Sequence, residues 1–220
     1  LKQVILHLGM DNYKIADSFS LLAKLMDIHG ENSFKAKSYA SAAFAIEKSG
    51  VQLKDLPTEK IAGLKGIGES TGKKILEIIQ LGKLSALEDL VSKTPPGVIE
   101  MLNIKGLGPK KINTIWKEMQ VESLGELLYA CQENRLLLYK GFGAKTQLNV
   151  MEAIEFYFMN QGSFLFAQVE TYASRINTIL QQEFPGQHLS YSGGFRRQNE
   201  IINQVDWVTT IPENSMTAFL

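Results

Sequence analysis

Apolar residues recur at helical spacing through most of the chain. From Tyr13 to His29 they lie three or four positions apart, the spacing of one helix face. These positions are Ile15, Phe19, Leu22 and Met26. Gly30 ends this helix, a second pattern runs to about Ser49, and others continue to Tyr157 with almost no strand signal. This part of the chain is therefore predicted to be helical.

The pattern changes after Asn160. A long helix is predicted from about Phe164 to Phe184, and the Pro-Gly pair that follows breaks it. The stretches "HLSYSGGF" and "QVDWVTTI" then indicate two strands, because they are rich in β-branched and aromatic residues. The predicted fold is mainly α, followed by the beginning of an α/β domain.

A motif of lysine, glycine, one apolar residue and glycine occurs three times, each time before a predicted helix. The copies are "LKGIGESTGKKIL" from Leu64, "IKGLGPKKINTIW" from Ile104 and "YKGFGAKTQLNVM" from Tyr139. Because glycine adopts positive φ without steric cost, such a pair makes a tight turn that buries the apolar side chain. The N–H groups of the turn and of the next helix then face outward at the positive end of the helix dipole, which predicts an anion site. The glycines are Gly66 and Gly68, Gly106 and Gly108, and Gly141 and Gly143.

A sugar–phosphate backbone is the ligand that can occupy several such anion sites in a row, without its sequence being read. Polar or basic residues follow each turn at the start of the helix, and they are Ser70, Lys110, Lys111 and Lys145. A single turn of this kind is often only a helix connection. A small-phosphate loop is a rival, although no copy has the G-x-x-x-x-G-K-[ST] form. Three copies favour DNA.

The composition is globular but does not by itself point to DNA. The 220 residues are 45% hydrophobic and 21% charged, and the formal net charge is zero. One cysteine and three scattered histidines exclude a disulfide framework and a Cys/His zinc site. We expect no membrane partner and a cytoplasmic protein, because no apolar run has membrane-spanning length and a signal peptide is lacking.

The repeats carry a resemblance to the family X DNA polymerases. "GLKGIGESTGKKILEIIQLGKLSALEDL" resembles the first helix-hairpin-helix of that family, and "LNIKGLGPKKINTIWKEMQVESLGELL" resembles the second. "YKGFGAKTQLNVMEAIEFY" is similar to the third hairpin of bacterial members, and "ENSFKAKSYASAAFAIE" to the basic second helix of the family's lyase domain. The resemblance runs from about Met10 and implies a lyase-like helical domain with the first hairpin (10–92), a fingers-like helical domain with the second and third (93–159), and the start of an α/β nucleotidyltransferase palm (160–220). Residues 1–9 are expected to form an extra N-terminal arm, with Met10 as a natural start.

The resemblance also implies a cation and contacts to DNA. A monovalent cation, Na⁺ or K⁺, would be held by backbone carbonyls of the first two hairpins and shared with a DNA phosphate. These are the carbonyls of Ala62, Leu64 and Ile67, and of Leu102, Ile104 and Leu107. Lys35 and Tyr39 correspond to positions that bind the 5′-phosphate at a gap.

Lys74 corresponds to the Schiff-base lysine of the lyase members. A deprotonated amine there would attack the open-chain aldehyde of an abasic sugar, and the 5′-phosphate would leave by β-elimination. The amine needs a lowered pKa, to which a cationic neighbour such as Lys73, or partial burial, would contribute. The alternative is a lysine on the solvent face of a helix that only touches phosphate.

"SGGFRRQNEIINQVDWV" aligns with the start of the family's nucleotidyl-transfer site, which uses two carboxylates one residue apart to hold two magnesium ions. Gly193, Arg197 and Asp206 match that pattern, whereas Gly194 stands at a serine position and Gln204 at the first carboxylate position. A neutral amide is a poor magnesium ligand. We therefore expect impaired DNA polymerization, a doubtful magnesium site and only a remnant of the nucleotide-binding site.

The leading interpretation is the N-terminal part of a bacterial polymerase X-like repair protein that binds gapped or nicked DNA with little sequence preference. Lyase chemistry at Lys74 stays open. The alternatives are a non-catalytic DNA clamp, or a helical scaffold that contacts protein, serving a downstream nuclease domain. We expect a third palm carboxylate, and any nuclease, beyond Leu220. The sequence does not indicate an oligomeric state.

Overall fold

The computed structural model describes residues 11–61, 63–64 and 66–219, so the predicted arm of residues 1–9 lies outside the described residues. The chain forms two compact units that divide between Tyr157 and Phe158. Within the described residues, every strand belongs to the second unit. The mainly α prediction is confirmed, whereas the start of a palm is only weakly indicated.

The first unit is built from helices that short connections join. The α-helices are α1 (Asn12–His29), α2 (Ser33–Glu47), α3 (Thr58–Ile61), α4 (Glu69–Leu81), α5 (Ser85–Ser92), α6 (Pro96–Glu100), α7 (Pro109–Asn113), α8 (Leu124–Gln132) and α9 (Ala144–Met159). The 3₁₀ turns are Leu53–Asp55, Met101–Asn103 and Arg135–Leu138. A π-helical segment, Thr114–Glu118, continues α7 and is not predicted by the spacing of apolar residues.

Both ends of α1 and the start of α2 follow the rules for helix ends. The Asp11 side chain accepts the Lys14 N–H at the start of α1, and Gly30 ends α1 in the left-handed region with φ 71°. The Asn32 side chain accepts the N–H groups of Phe34 and Lys35 at the start of α2. α1 packs more extensively against α2 than against any other described element. Together these caps fix the helix pair on which one wall of the candidate site is built.

One hydrophobic core runs through the first unit. Fully buried members come from helices along its whole length, and examples are Phe19, Ile75, Met101, Ile115 and Ile154. The core is continuous across residue 92, since residues on both sides of that position belong to it. The division at residues 92 and 93 therefore stays a prediction.

The second unit combines two short antiparallel pairs with helices. Its elements are β1 (Phe164–Leu165), α10 (Phe166–Glu183), β2 (Leu189–Ser192), α11 (Gly193–Arg196), β3 (Ile201–Ile202), β4 (Asp206–Thr209) and α12 (Glu213–Phe219). β1 pairs with β3, and β2 pairs with β4 in a register that places Ser192 opposite Asp206. The long helix begins at Phe166, later than predicted, because the two residues before it pair with β3.

Candidate nucleic-acid interface

The three glycine motifs fold into the same hydrogen-bonded turn. In each copy, the N–H of the apolar residue between the glycines donates to the carbonyl three positions earlier. The pairs are Ile67 to Leu64 (2.9 Å), Leu107 to Ile104 (3.1 Å) and Phe142 to Tyr139 (3.3 Å). The first glycines adopt positive φ, and they are Gly66 (87°), Gly106 (93°) and Gly141 (94°). This is the third position of a type II turn, which glycine fills without strain.

The apolar residue between each pair of glycines is buried, as the sequence predicts. Ile67 is 5% exposed, Leu107 is 6% exposed and Phe142 is 5% exposed. Because these side chains anchor the turns in the core, the glycines and the backbone around them remain at the surface. All six hairpin glycines are exposed.

The second glycine of the first two motifs is the residue before a helix. Gly68 (φ −83°, ψ 169°) precedes α4, and Gly108 (φ −94°, ψ 165°) precedes α7. Three other helices receive a side-chain acceptor at this position, from Asp11, Asn32 and Ser123. A glycine offers none to the first-turn N–H groups, so an external acceptor can take them. Ser70 lies exposed in the first turn of α4.

The lysines after the turns differ in their surroundings. Lys110 and Lys145 are exposed. Lys111 is half-buried, its Nζ donates to the carbonyl oxygen of Gly106 at 3.1 Å, and it lies 5.9 Å from the ring centroid of Phe142. Lys111 thus ties the second turn to the third, which no local sequence signal shows, and keeps a positive charge beside both.

Most of the backbone carbonyls that the resemblance assigns to a monovalent cation lie in or next to the first two turns. Ala62 is outside the described residues. Leu64 and Ile104 each accept the turn hydrogen bond, and a carbonyl oxygen retains a second lone pair. Leu102 lies half-buried in the 3₁₀ turn before the second hairpin. Such oxygens are suitable ligands for a hard cation, and the neighbouring apolar side chains supply no competing ligand. The donor set therefore fits a monovalent ion at the turns.

Lys35, Tyr39 and Lys74 line one pocket of about 190 Å³ in the first unit. α2 supplies Lys35 and Tyr39, and α4 supplies Lys74, although these residues are far apart in sequence. The pocket is also lined by charged groups that the sequence analysis missed, and they are Glu31, Asp89 and Lys93. A local signal for two of them existed, since Asp89 and Lys93 have the i, i+4 spacing of an ion pair on a helix.

The surroundings of Tyr39 and Lys74 suit contact with a phosphate. Tyr39 is 4% exposed and burial raises the pKa of its phenol, so the hydroxyl keeps its proton. Lys74 is half-buried. Its neighbour Lys73 forms an ion pair with Glu69 at 2.9 Å, and this hydrogen bond raises the pKa of Lys73. The positive charge of Lys73 is thereby offset by Glu69, so Lys73 is not an unpaired cation beside Lys74.

In the second unit, three residues of the predicted palm remnant lie close together, and they are Gly193, Gln204 and Asp206. Asp206 begins β4, and the Gln204 side-chain Nε2 donates to both of its carboxylate oxygens, at 3.1 and 3.2 Å. A Cβ added to Gly193 would collide with an Asp206 carboxylate oxygen, and Gly194 follows in α11. Arg197 is exposed just after α11. Among the described residues, no three His, Cys, Asp or Glu side chains gather closely enough to hold a metal ion.

Two family models of helix-hairpin-helix domains match separate parts of the chain. A family model described as a helix-hairpin-helix domain matches residues 10–84. A second, described as a SAM-like helix-hairpin-helix tandem, matches residues 98–155. These matches cover all three glycine turns. Within the described part of the chain, no helix has the length and apolarity needed to cross a membrane.

Two curated relatives extend the likeness beyond these domains. The chain is 28% identical over 194 residues to the DNA polymerase/3′-5′ exonuclease PolX of Bacillus subtilis (strain 168), covering 85% of this chain and 32% of that protein. It is 26% identical over 179 residues to the DNA nucleotidylexotransferase of Oncorhynchus mykiss, covering 77% of this chain and 32% of that protein. The chain thus spans about a third of the length of each relative. The resemblance to the family X DNA polymerases is thereby confirmed.

Proposed function

We propose that this chain binds DNA through the sugar–phosphate backbone, without reading its sequence. The observation that carries the proposal is the threefold repetition of one turn, with glycine φ values of 87°, 93° and 94°. Each turn buries its apolar residue and leaves backbone N–H groups at a helix start, where negative charge is favoured. Backbone donors of this kind match phosphate oxygens, which every DNA sequence presents.

The proposal includes a monovalent cation, Na⁺ or K⁺, at the first and second turns. The carbonyls of Leu64, Ile67, Ile104 and Leu107, together with those of Ala62 and Leu102, would hold it. A bound cation would supply positive charge between these oxygens and a DNA phosphate. Both hairpins form the same turn, with an N–H that donates to the carbonyl three residues earlier, and this repetition supports the cation part of the proposal.

The preferred DNA is proposed to be gapped or nicked, because a 5′-phosphate at a break has a separate place to bind. The pocket lined by Lys35, Tyr39 and Lys74 offers two ammonium groups and a protonated phenol. These donors suit a terminal phosphate, which carries about −1.5 to −2 charges near neutral pH. An uninterrupted duplex presents no such end.

A second candidate function is 5′-deoxyribose phosphate lyase activity, favoured by the half-buried position of Lys74 in that pocket. Lys74 Nζ would add to C1′ of the open-chain sugar, and loss of water would form an imine. Removal of a C2′ proton would then break the bond from C3′ to the phosphate oxygen, which leaves on the DNA strand. Water would hydrolyse the imine and return the free lysine.

Polymerization is proposed to be impaired, because an amide stands where a metal-binding carboxylate is needed. The hydrogen bonds from Gln204 to Asp206 support this, since the carboxylate that remains is already satisfied by a neutral donor. The chain would then act as a DNA-holding module of a longer repair protein. A protein-interaction scaffold is the alternative from a different class.

Two experiments test these functions. Fluorescence anisotropy with two gapped duplexes of unrelated sequence should give dissociation constants within about twofold of each other, and a tenfold preference would contradict backbone recognition. Borohydride added to the chain with a gapped DNA carrying a 5′-deoxyribose phosphate should trap a covalent adduct if the lyase proposal is correct. The adduct should disappear in Lys74→Ala and persist in Lys73→Ala, and trapping that is equal in both variants would remove Lys74 as the nucleophile.

A further inference from the structure

We propose that Lys93 is a phosphate-binding residue of this pocket, and that Asp89 is a built-in counter-ion which the 5′-phosphate displaces. The proposal rests on the proposed binding of a 5′-phosphate between Lys35, Tyr39 and Lys74. It adds Lys93, the residue that directly follows α5, to the phosphate-binding groups of the pocket. It also proposes that the ion pair between Lys93 and Asp89 exchanges partners when the phosphate binds.

The ion pair is loose and lies at the pocket. Lys93 Nζ is 3.8 Å from Asp89 Oδ2, and the two side chains are 63% and 78% exposed. Both residues line the pocket. Solvent-exposed pairs at this distance contribute little to stability, so their separation costs little. An incoming phosphate therefore meets an ammonium group that can change partners.

The backbone that carries Lys93 is well fixed. The next residue, Thr94, is 4% exposed and its hydroxyl donates to the Leu90 carbonyl at 2.6 Å. The same hydroxyl oxygen lies 2.8 Å from Nε2 of His29, which anchors the end of α5 to α1. Lys93 thus combines a fixed backbone with an exposed ammonium group, so its positive charge stays near the pocket when it changes partner.

The charge of the pocket explains why the exchange matters. Lys35, Lys74 and Lys93 face two carboxylates, Glu31 and Asp89, so three positive and two negative charges leave a net charge of one positive. A terminal phosphate carries about −1.5 to −2 charges. If Lys93 stayed paired to Asp89, the phosphate would be under-compensated. Transfer of Lys93 to the phosphate strengthens its binding, and the Asp89 carboxylate, left without its partner, then acts against binding by charge repulsion.

A second ion pair close by in sequence offers a matched control. Lys83 forms an ion pair with Glu88 at 3.3 Å, and both side chains are 56% exposed. Neither residue lines the pocket. Substitutions at Lys83 and Glu88 therefore change the net charge as those at Lys93 and Asp89 do, in the same part of the chain, but outside the proposed phosphate site.

The test measures the preference for a 5′-phosphate. The probes are two duplexes with the same one-nucleotide gap, one with a 5′-phosphate and one with a 5′-hydroxyl on the downstream strand. The ratio of their dissociation constants should favour the phosphate in the unaltered chain. Lys93→Gln should reduce this preference roughly fivefold and Asp89→Asn should increase it about two- to threefold. Lys83→Gln and Glu88→Gln should leave the ratio within about 1.5-fold.

The outcomes separate this inference from the proposed function. If the unaltered chain binds neither duplex, DNA binding itself is wrong. If it binds both in a salt-dependent manner but the ratio is one, or is the same in Lys93→Gln, the role of Lys93 is overturned. An equal loss in Lys83→Gln and Lys93→Gln would show a general charge effect and would also overturn it. Circular dichroism of each variant confirms that the helices are retained.

Discussion

The side-chain amide of Gln204 donates hydrogen bonds to both carboxylate oxygens of Asp206, with its Nε2 at 3.1 Å from one and 3.2 Å from the other. An amide nitrogen is a donor and cannot ligate a cation. This contact places a neutral donor where a pair of carboxylates would attract a divalent ion, and it stabilises Asp206 without metal.

Gln204→Glu should therefore create a divalent cation site, because the change is nearly isosteric and sets two carboxylates side by side. We expect Mn²⁺ binding, measured by isothermal titration calorimetry, that is clearly stronger than in the unaltered chain. Adding Asp206→Asn should abolish it. Gln181→Glu adds the same charge at an exposed position of α10 and is the control. Equal Mn²⁺ binding by the two glutamate variants would contradict this account of the palm remnant.

The two glycines of the second hairpin should respond differently to alanine. Gly106 has φ 93°, so alanine there is strained by about 1–2 kcal/mol, and the turn that presents the backbone donors is distorted. Gly108 has φ −94°, and a Cβ on it meets no described atom within 4 Å. We expect Gly106→Ala to weaken DNA binding about tenfold and Gly108→Ala to retain stability within about 0.5 kcal/mol. A folded Gly106→Ala variant with unchanged affinity would argue against the turn as a phosphate site.

Gly97 should not tolerate alanine, although it lies in a helix. A Cβ on Gly97 would collide with the backbone oxygen of Glu122 and would lie 2.9 Å from Ser123 Cα, because α6 lies against the segment before α8. Backbone atoms cannot move aside cheaply, so we expect a loss of about 1–3 kcal/mol in the free energy of unfolding. Gly125, in α8, has open space around a Cβ and should gain up to about 1 kcal/mol as alanine. Urea denaturation of both variants checks the difference, and equal effects would contradict the packing argument.

The free energy of unfolding should decrease as the pH falls, because of His29. Burial, and then the charge of Lys117, lowers the pKa of His29 below its usual 6.5, so the unfolded chain binds a proton more readily than the folded one. The stabilisation is present above about pH 6.5 and is lost as pH falls toward the lower folded pKa. Melting temperatures measured from pH 7.5 to 5.5 should decline more steeply in the unaltered chain than in His29→Gln. Parallel curves would show that His29 does not contribute.

The helices and the turns follow from local sequence, and the structure agrees where the signal is local. Gly30 and Gly82 end α1 and α4 in the left-handed region because a glycine adopts that conformation without strain. The burial of Ile67 follows in the same way, since a glycine on each side forces a turn around an apolar side chain. Such features depend on neighbours in sequence, which is why pattern and spacing suffice.

Local sequence shows the i, i+4 spacing of Asp89 and Lys93, but it does not show which charged residues gather at the pocket. Glu31, Lys74 and Lys93 line one pocket only because α4 and the segments that follow α1 and α5 pack around one core. The hydrogen bond from Lys111 to Gly106 is similarly set by the direction of a side chain within a folded turn. Three-dimensional packing decides these contacts, and periodicity carries no information about them.

The measurement that tests the central claim most directly is the salt dependence of DNA affinity. We predict that the logarithm of the association constant falls linearly with the logarithm of salt concentration, with a slope of about −3 if each of three turns neutralises one phosphate. Gly106→Ala should reduce the size of the slope by about one. A flat response in the unaltered chain, at any affinity, would contradict backbone binding by the three turns.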